Sequence, residues 1–407
     1  MATTNPLQIP ASQNTVKVQA INTTLALSIR SENFFDPIIP GHEYYNCPSM
    51  AFLITSTSLN PETGKAEERK IMFDAGARKD YWNYSPMIVD RFRRGVNVRG
   101  MIVERGLDEI LASGGVELKS VEAVIWSHWH FDHIGDMSTF PPSTRIIVGP
   151  GFSKAKLPGY PSDPDSSLLE TDYASHELVE LDFLNSIKIG NFQAHDYFPT
   201  SPGSLYLLSV PGHAIGHMCA LARTTPDTFL LLGADVCHFA GELRPSASIP
   251  LPLSLDPVRE GLDPYFHGRG MCPCTMFTDY HPGGSEEEKR TTPYYRVSRS
   301  EGSAYTDPDV ANESVGKIRD FDADARVFVC LAHDPSLFDF LPLFNDGGIE
   351  GASLNDWKKE GWKEKCRWGF LNELPRDGKP GRKPIIDGFW RGGEKMSAEE
   401  ALRKDGE

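Results

Sequence analysis

The chain predicts a layered α/β fold whose chemistry sits at the ends of strands. First, apolar runs of strand length recur at residues 121–126, 205–210, 228–232 and 326–331. Second, each run is followed by a ligand-type side chain. The first runs into Ser127-His128-Trp129-His130-Phe131-Asp132-His133 and the second into Pro211-Gly212-His213-Ala214-Ile215-Gly216-His217. The third runs into Gly233-Ala234-Asp235 and the fourth into Ala332-His333-Asp334. Layered α/β folds build their sites from loops at strand ends, so the repeat carries more weight than any of its parts. Third, 407 residues with 40% apolar side chains are ample for a full core, in one large domain or two.

The elements follow in order. Residues 16–30 alternate well enough for a first strand, and 48–58 and 70–74 read as the next two, with the polar stretch 60–69 as a hairpin loop. The aromatic segment 33–45, with Phe34, Phe35, Tyr44 and Tyr45, is either a self-packing surface loop or a wall of a substrate pocket. Residues 102–112 carry helical spacing and stop at Ser113-Gly114-Gly115. Residues 150–175 are loop, and 184–194 a strand pair leading to His195, which reads either as structural or as a partner behind the site's ligands. Residues 239–325, rich in proline, fill the gap between Asp235 and His333 as an insertion, expected to be a substrate-selecting lid. Residues 351–407 form a C-terminal extension. Trp357, Trp362, Trp368 and Phe370 should pack on the body formed by 1–350, and the stretch 375–395 should lie on the surface.

Net charge of −15 and an isoelectric point of about 5.3 disfavour binding to phosphate backbones. No apolar run is long enough for a membrane span, and the N-terminus lacks the basic and apolar regions of a secretory signal. Seven dispersed cysteines suit a reducing cytosol, so a cytoplasmic location is expected. Cys272-Pro273-Cys274 could bind a soft metal, but no second pair lies nearby, and it reads as a loop feature.

Three imidazoles and a carboxylate within six residues (His128, His130, Asp132, His133) suit zinc or a similar divalent ion. A lone histidine is ordinarily a core or surface residue; four such side chains at this spacing are hard to explain that way. Asp74 and Asp334 are open between two readings: orienting a metal-bound histidine, or shaping a turn and capping a helix.

His-x-His-x-Asp-His, the Pro-Gly-His turn, Gly-Ala-Asp and the late Ala-His-Asp together resemble the metallo-β-lactamase superfamily, and Phe73-Asp74-Ala75-Gly76 resembles its early Asp-x-Gly turn. The resemblance runs from about residue 16 to about 346 and is nearest the lactonase-like branch, including fungal γ-lactamases and quorum-quenching lactonases. It implies a four-layer αββα sandwich and two Zn2+ ions, although other divalent transition metals would fit the same donors. It assigns His128, His130 and His213 to one ion, Asp132, His133 and His333 to the other, and Asp235 as the bridge. The implied reaction is hydrolysis of a small cyclic ester or amide, a lactone or lactam, by a metal-bridging hydroxide, with Asp132 also shuttling a proton. A fungal detoxifying γ-lactamase is one such enzyme. His238 lies where related lactonases place a tyrosine, so an imidazole there would donate to the oxyanion or leaving group; its other reading is a core histidine. Family alternatives are a glyoxalase II-type thioesterase and a mononuclear iron persulfide dioxygenase. The implied partner is a small molecule, with no nucleic acid or membrane; oligomeric state is not legible.

Overall fold

The computed structural model describes residues 7–59, 63–94, 97–267 and 270–404. Two six-stranded sheets form its centre. The first runs in the order Val16–Asn22, Met50–Leu59, Ala66–Phe73, Val121–Ile125, Arg145–Val148, Leu178–Glu180. The second runs Ile187–Ile189, Phe192–Asp196, Leu205–Ser209, Met218–Thr225, Thr228–Ala234, Val327–Leu331. Val121–Ile125 lies between two parallel neighbours, with Ile125 opposite Phe73 and Ile147. Such a strand is covered on both faces, which explains its unbroken apolar run. Ala123 and Ile125 pack between the sheets with Phe52, Leu207, Leu230 and Phe328. Val124 points outward onto Leu107, Ile110 and Leu111 of the Leu107–Ser113 helix. On the far side, Leu221, Leu231 and Val329 of the second sheet pack with Val315, Ile318 and Phe321 of the Pro308–Ala323 helix. Helix, sheet, sheet, helix is the four-layer αββα order.

Local structure departs from the sequence expectation at five places, one being the short helix Phe152–Lys156 within the expected 150–175 loop. Residues 16–30 are two strands in different sheets, because the chain reverses at Thr24, whose φ is +60°; alternation is equally good on both sides of the break, so pattern alone could not show it. The 60–69 loop is shorter than expected: the strand begins at Ala66, with polar Glu67 and Glu68 exposed, while 60–62 lie outside the described residues. The helix expected over 102–112 starts at Leu107, and Val98–Val103 is a strand of a third sheet. That sheet runs Glu394–Met396, Gly388–Arg391, Val98–Val103, Leu25–Arg30, Tyr44–Asn46. Part of the 375–395 stretch expected on the surface is therefore a sheet strand, with Phe389 buried. The 184–194 strand pair forms as expected. Among the described residues no helix is long and apolar enough to cross a membrane.

Residues 239–325 contribute both framework and wall. Their Pro308–Ala323 helix is capped by the Asp307 side chain and covers the second sheet. Its start holds the Pro-Gly-His turn: Thr306 N–H donates to the His213 carbonyl (2.8 Å), Asp307 N–H to Gly212 (2.9 Å) and Ser314 Oγ to Pro211 (2.7 Å). The helix is locked at depth by a buried bidentate pair, Arg244 with Asp322, at 2.7 Å for both bonds. Lys363 donates to the carbonyls of Asp322, Asp324 and Val327, so the C-terminal segment satisfies acceptors at the helix end and at the start of the following strand.

Gly212 has φ +123°, and a Cβ there would lie 2.3 Å from the Ala311 nitrogen. Gly212→Ala should therefore destabilise the protein by about 2–3 kcal/mol, measured by urea unfolding, because both the backbone angle and the close approach are lost.

Candidate metal centre

All the strand-end segments open on one edge of the two sheets. The Val121–Ile125 strand leads to the His128–His133 cluster, Thr228–Ala234 to Asp235, Val327–Leu331 to His333, and Ala66–Phe73 to Asp74. Asp74 N–H donates to Ile125 and Met218 N–H to Ser127, which pins the turns together.

Ligand-type atoms gather in three overlapping groups. One holds His128, His130, His213 and Asp235; a second holds His133, Asp235 and His333; a third holds Cys47, Asp132 and His333. All seven residues expected from the sequence are present. In the first group, His128 Nε2 lies 2.9 Å from His130 Nδ1 and 3.1 Å from His213 Nε2, and His213 Nε2 lies 2.9 Å from His130 Nδ1. Three ring nitrogens facing one point cannot all be satisfied by N–H···N bonds, whereas one cation between them satisfies every lone pair. Burial, followed by the neighbouring imidazoles, pushes His128 well below its ordinary value. Burial also lowers His130, and it takes His213 down to about 3. The three rings are therefore neutral, as metal ligation requires.

The second group shows the same logic. His133 Nδ1–H donates to Asp74 Oδ2 (2.8 Å) and His333 Nδ1–H to the Pro48 carbonyl (2.7 Å), leaving both Nε2 lone pairs to face inward. Each Nε2 lies 3.1 Å from Asp235 Oδ1, and all three atoms are buried without a hydrogen-bond partner. Lone pairs against a carboxylate oxygen repel unless a cation or protons intervene. Burial opposes charge on His133, but Asp235, Asp74 and Asp132 outweigh it and hold the ring well above its ordinary value. Burial likewise opposes charge on His333 and is outweighed by Cys47 and Asp235. Asp235 is held well below the usual carboxylate range: burial would raise it, and His133, His333 and His238 override that. The donor set thus fits a pair of divalent cations. Cys272 and Cys274 are buried and join none of these groups among the described residues, nor does His195, which pairs with Leu207 on its strand.

Neighbouring residues are fixed around the centre. Asp74 does both things expected of it: its φ of +62° makes the turn, and its carboxylate accepts from Ser127 N–H, Ser127 Oγ and His133 Nδ1. Asp334 caps the Pro335–Phe340 helix through Ser336 and touches no ligand ring. His217 buttresses the Pro-Gly-His turn, with Nδ1 bonded to the Val210 carbonyl and Nε2 accepting from Asp235 N–H. His238 is buried with Nε2 3.0 Å from Asp235 Oδ2, and Nδ1 takes a 2.7 Å bond from the Tyr305 hydroxyl. Its backbone N–H, and that of Phe239, donate to Glu242 Oε2.

Above these groups lies a cavity of about 270 Å3. Its walls are mostly apolar, from Leu27, Ile29, Phe34, Ile88, Phe92 and Val98, and Asp132, Asp235 and His238 face its floor. Phe34 packs on His238 at 4.5 Å between ring centroids, while Phe35 and Tyr45 are buried, so the aromatic loop serves both readings offered for it. Sequence reasoning missed Cys47, Tyr305 and Glu242. Cys47 and Tyr305 lie far along the chain from their partners and share no motif spacing with them, whereas Glu242 is only four residues beyond His238 and caps the Phe239 turn, a local signal legible in the chain.

Asp74→Asn keeps the positive φ but turns one oxygen into a donor facing His133 Nδ1–H. Metal affinity, measured by competition with a chelating dye, should fall 10–100-fold while the fold is kept. Glu242 is fully buried, and burial pushes its carboxyl up to about 8 from 4.5, so the folded state holds a proton that the unfolded chain releases. Stability should then fall as pH rises between those two values, and Glu242→Gln should flatten the slope in urea unfolding followed across that range.

A model of the metallo-β-lactamase superfamily matches residues 65–217. The chain is 40% identical over 377 residues to "Gamma-lactamase FDB1" of Fusarium pseudograminearum (strain CS3096), covering 91% of this chain and 85% of that protein. It is 38% identical over 371 residues to "Metallo-hydrolase mfmC" of Annulohypoxylon moriforme, covering 90% of each. Among solved structures, a B. thuringiensis AiiA mutant with N-decanoyl-L-homoserine bound at its active site superposes with a TM-score of 0.50 at 16% identity, covering 81% of this chain and 98% of that one, a likeness of fold. With those relatives and that fold, this chain belongs to the metallo-β-lactamase superfamily of hydrolases.

Proposed function

We propose that the protein is a binuclear zinc hydrolase that opens a small cyclic ester or amide. One observation carries the reading: the two oxygens of Asp235 face different imidazole groups beneath a single apolar cavity. Oδ1 faces His133 and His333, while Oδ2 faces His128, His213 and His238. One buried carboxylate so placed suits a bridge between two ions, with His128, His130 and His213 on one and Asp132, His133 and His333 on the other. Bound there, the ions would polarise an acyl carbonyl and make hydroxide available near neutral pH, since zinc lowers the pKa of bound water to ~7.

The chain's own residues do the rest. Asp132 lies on the cavity floor, with one oxygen 3.6 Å from His333 Nε2, and can take and return a proton there. His238 donates Nε2–H towards Asp235 and borders the cavity, where the same N–H would meet charge developing on a substrate oxygen by turning from the carboxylate. Phe34, Phe92 and Ile88 exclude water and favour a small, largely apolar ring. Within the proposed 239–325 lid, Ser303–Thr306 is the stretch that lines this cavity and is proposed to select substrate.

Metal analysis of the purified protein should give two zinc ions per chain. Parallel assays with a lactone, a lactam and a thioester should show turnover of the cyclic substrates, lost on chelation, restored by zinc and lowered at least 100-fold by Asp132→Asn. One iron per chain with oxygen consumption, or turnover of the thioester alone, would overturn the reading.

A further inference from the structure

We propose that Cys47 is an additional protein ligand at the second cation position, beside Asp132 and His333. The inference rests on the two-ion reading above and adds to it a donor of a different kind. Cys47 Sγ, a carboxylate oxygen of Asp132 and a ring nitrogen of His333 all lie within 4.8 Å of one another. Atoms sharing one ion at ~2.0–2.3 Å lie at most about 4.6 Å apart, so small side-chain shifts would bring all three onto one cation. Cys47 is 2% exposed and forms part of the cavity wall at the centre.

A second observation points the same way. His333 is 1% exposed, and its Nε2 has no hydrogen-bond partner although it is aimed into this group. Its other nitrogen donates to the Pro48 carbonyl, so the inward atom is a lone pair that needs a donor or a cation.

The segment around Cys47 is built to serve this position. Cys47 N–H donates to Leu27 at 2.8 Å, anchoring it to the third sheet. Pro48 orients His333, and Ser49 Oγ donates to the Asp132 carbonyl at 3.0 Å. Three consecutive residues therefore fix one group of donors from the same side. The Tyr45 hydroxyl donates to Cys47 Sγ at 3.5 Å, as an outer partner of a sulfur that carries negative charge when metal-bound. The chemical consequence is selectivity. Thiolate is a soft donor, so this position should favour zinc or cobalt(II) over manganese, magnesium or calcium.

The experiment uses the full chain loaded with two equivalents of cobalt(II). Sulfur ligation gives an intense near-ultraviolet charge-transfer band, which should be present in the native protein and absent in Cys47→Ser. The second cobalt should also bind Cys47→Ser at least tenfold more weakly by competition with a chelator. Urea unfolding of the metal-free variant should match the native protein, and Cys47→Ala should behave as Cys47→Ser does. Two bound cobalt ions without the band, or a band that survives in Cys47→Ser, would overturn the role of Cys47 and leave the two-ion centre standing. Failure of the native protein to bind two ions would overturn both.

Discussion

A single buried carboxylate organises this molecule. Asp235 is 1% exposed and lies within 3.6 Å of ring nitrogens from His128, His133, His213, His238 and His333. Five imidazoles and an anion removed from water are tolerable only if their charges are matched. The constraint explains why the surrounding polar atoms are so fully committed. Asp74, Pro48, Ser127 and Tyr305 each occupy the outward nitrogen of an inward-facing ring. Every such bond leaves the opposite nitrogen directed at the centre.

The sheets exist, from the viewpoint of the site, to deliver these groups to one edge. Parallel neighbours bring consecutive strand ends to the same side, which is why Asp74 and the His128–His133 cluster meet although they are distant in the chain. A parallel pair, Thr228–Ala234 with Val327–Leu331, does the same for Asp235 and His333. The long connection between those two strands returns as the Pro308–Ala323 helix over the second sheet. On its way it lends Tyr305 to His238 and two backbone donors to the Pro-Gly-His turn. Framework and pocket wall are thus the same piece of chain.

The third sheet is where regional organisation departs most from pattern. Its strands come from residues 25–30, 44–46, 98–103 and the C-terminal 388–396, so no local stretch announces it. It matters for the site all the same. Leu27, Ile29 and Val98 wall the cavity, and Cys47 follows directly on its Tyr44–Asn46 strand.

By itself the sequence determined a layered α/β fold, through apolar runs of strand length, and the ligand-type residues at strand ends, because those types and spacings have few other uses in a core; the αββα order came only with the family resemblance. The reversal at Thr24, the strand at Val98–Val103 and the sheet role of Gly388–Arg391 were decided only in three dimensions, since alternation and helical spacing look alike in short apolar stretches. So were the partnerships of Cys47 and Tyr305. A hydrogen bond or a shared cation needs proximity in space, and residues brought together from separate sheets leave no period in the chain to mark it.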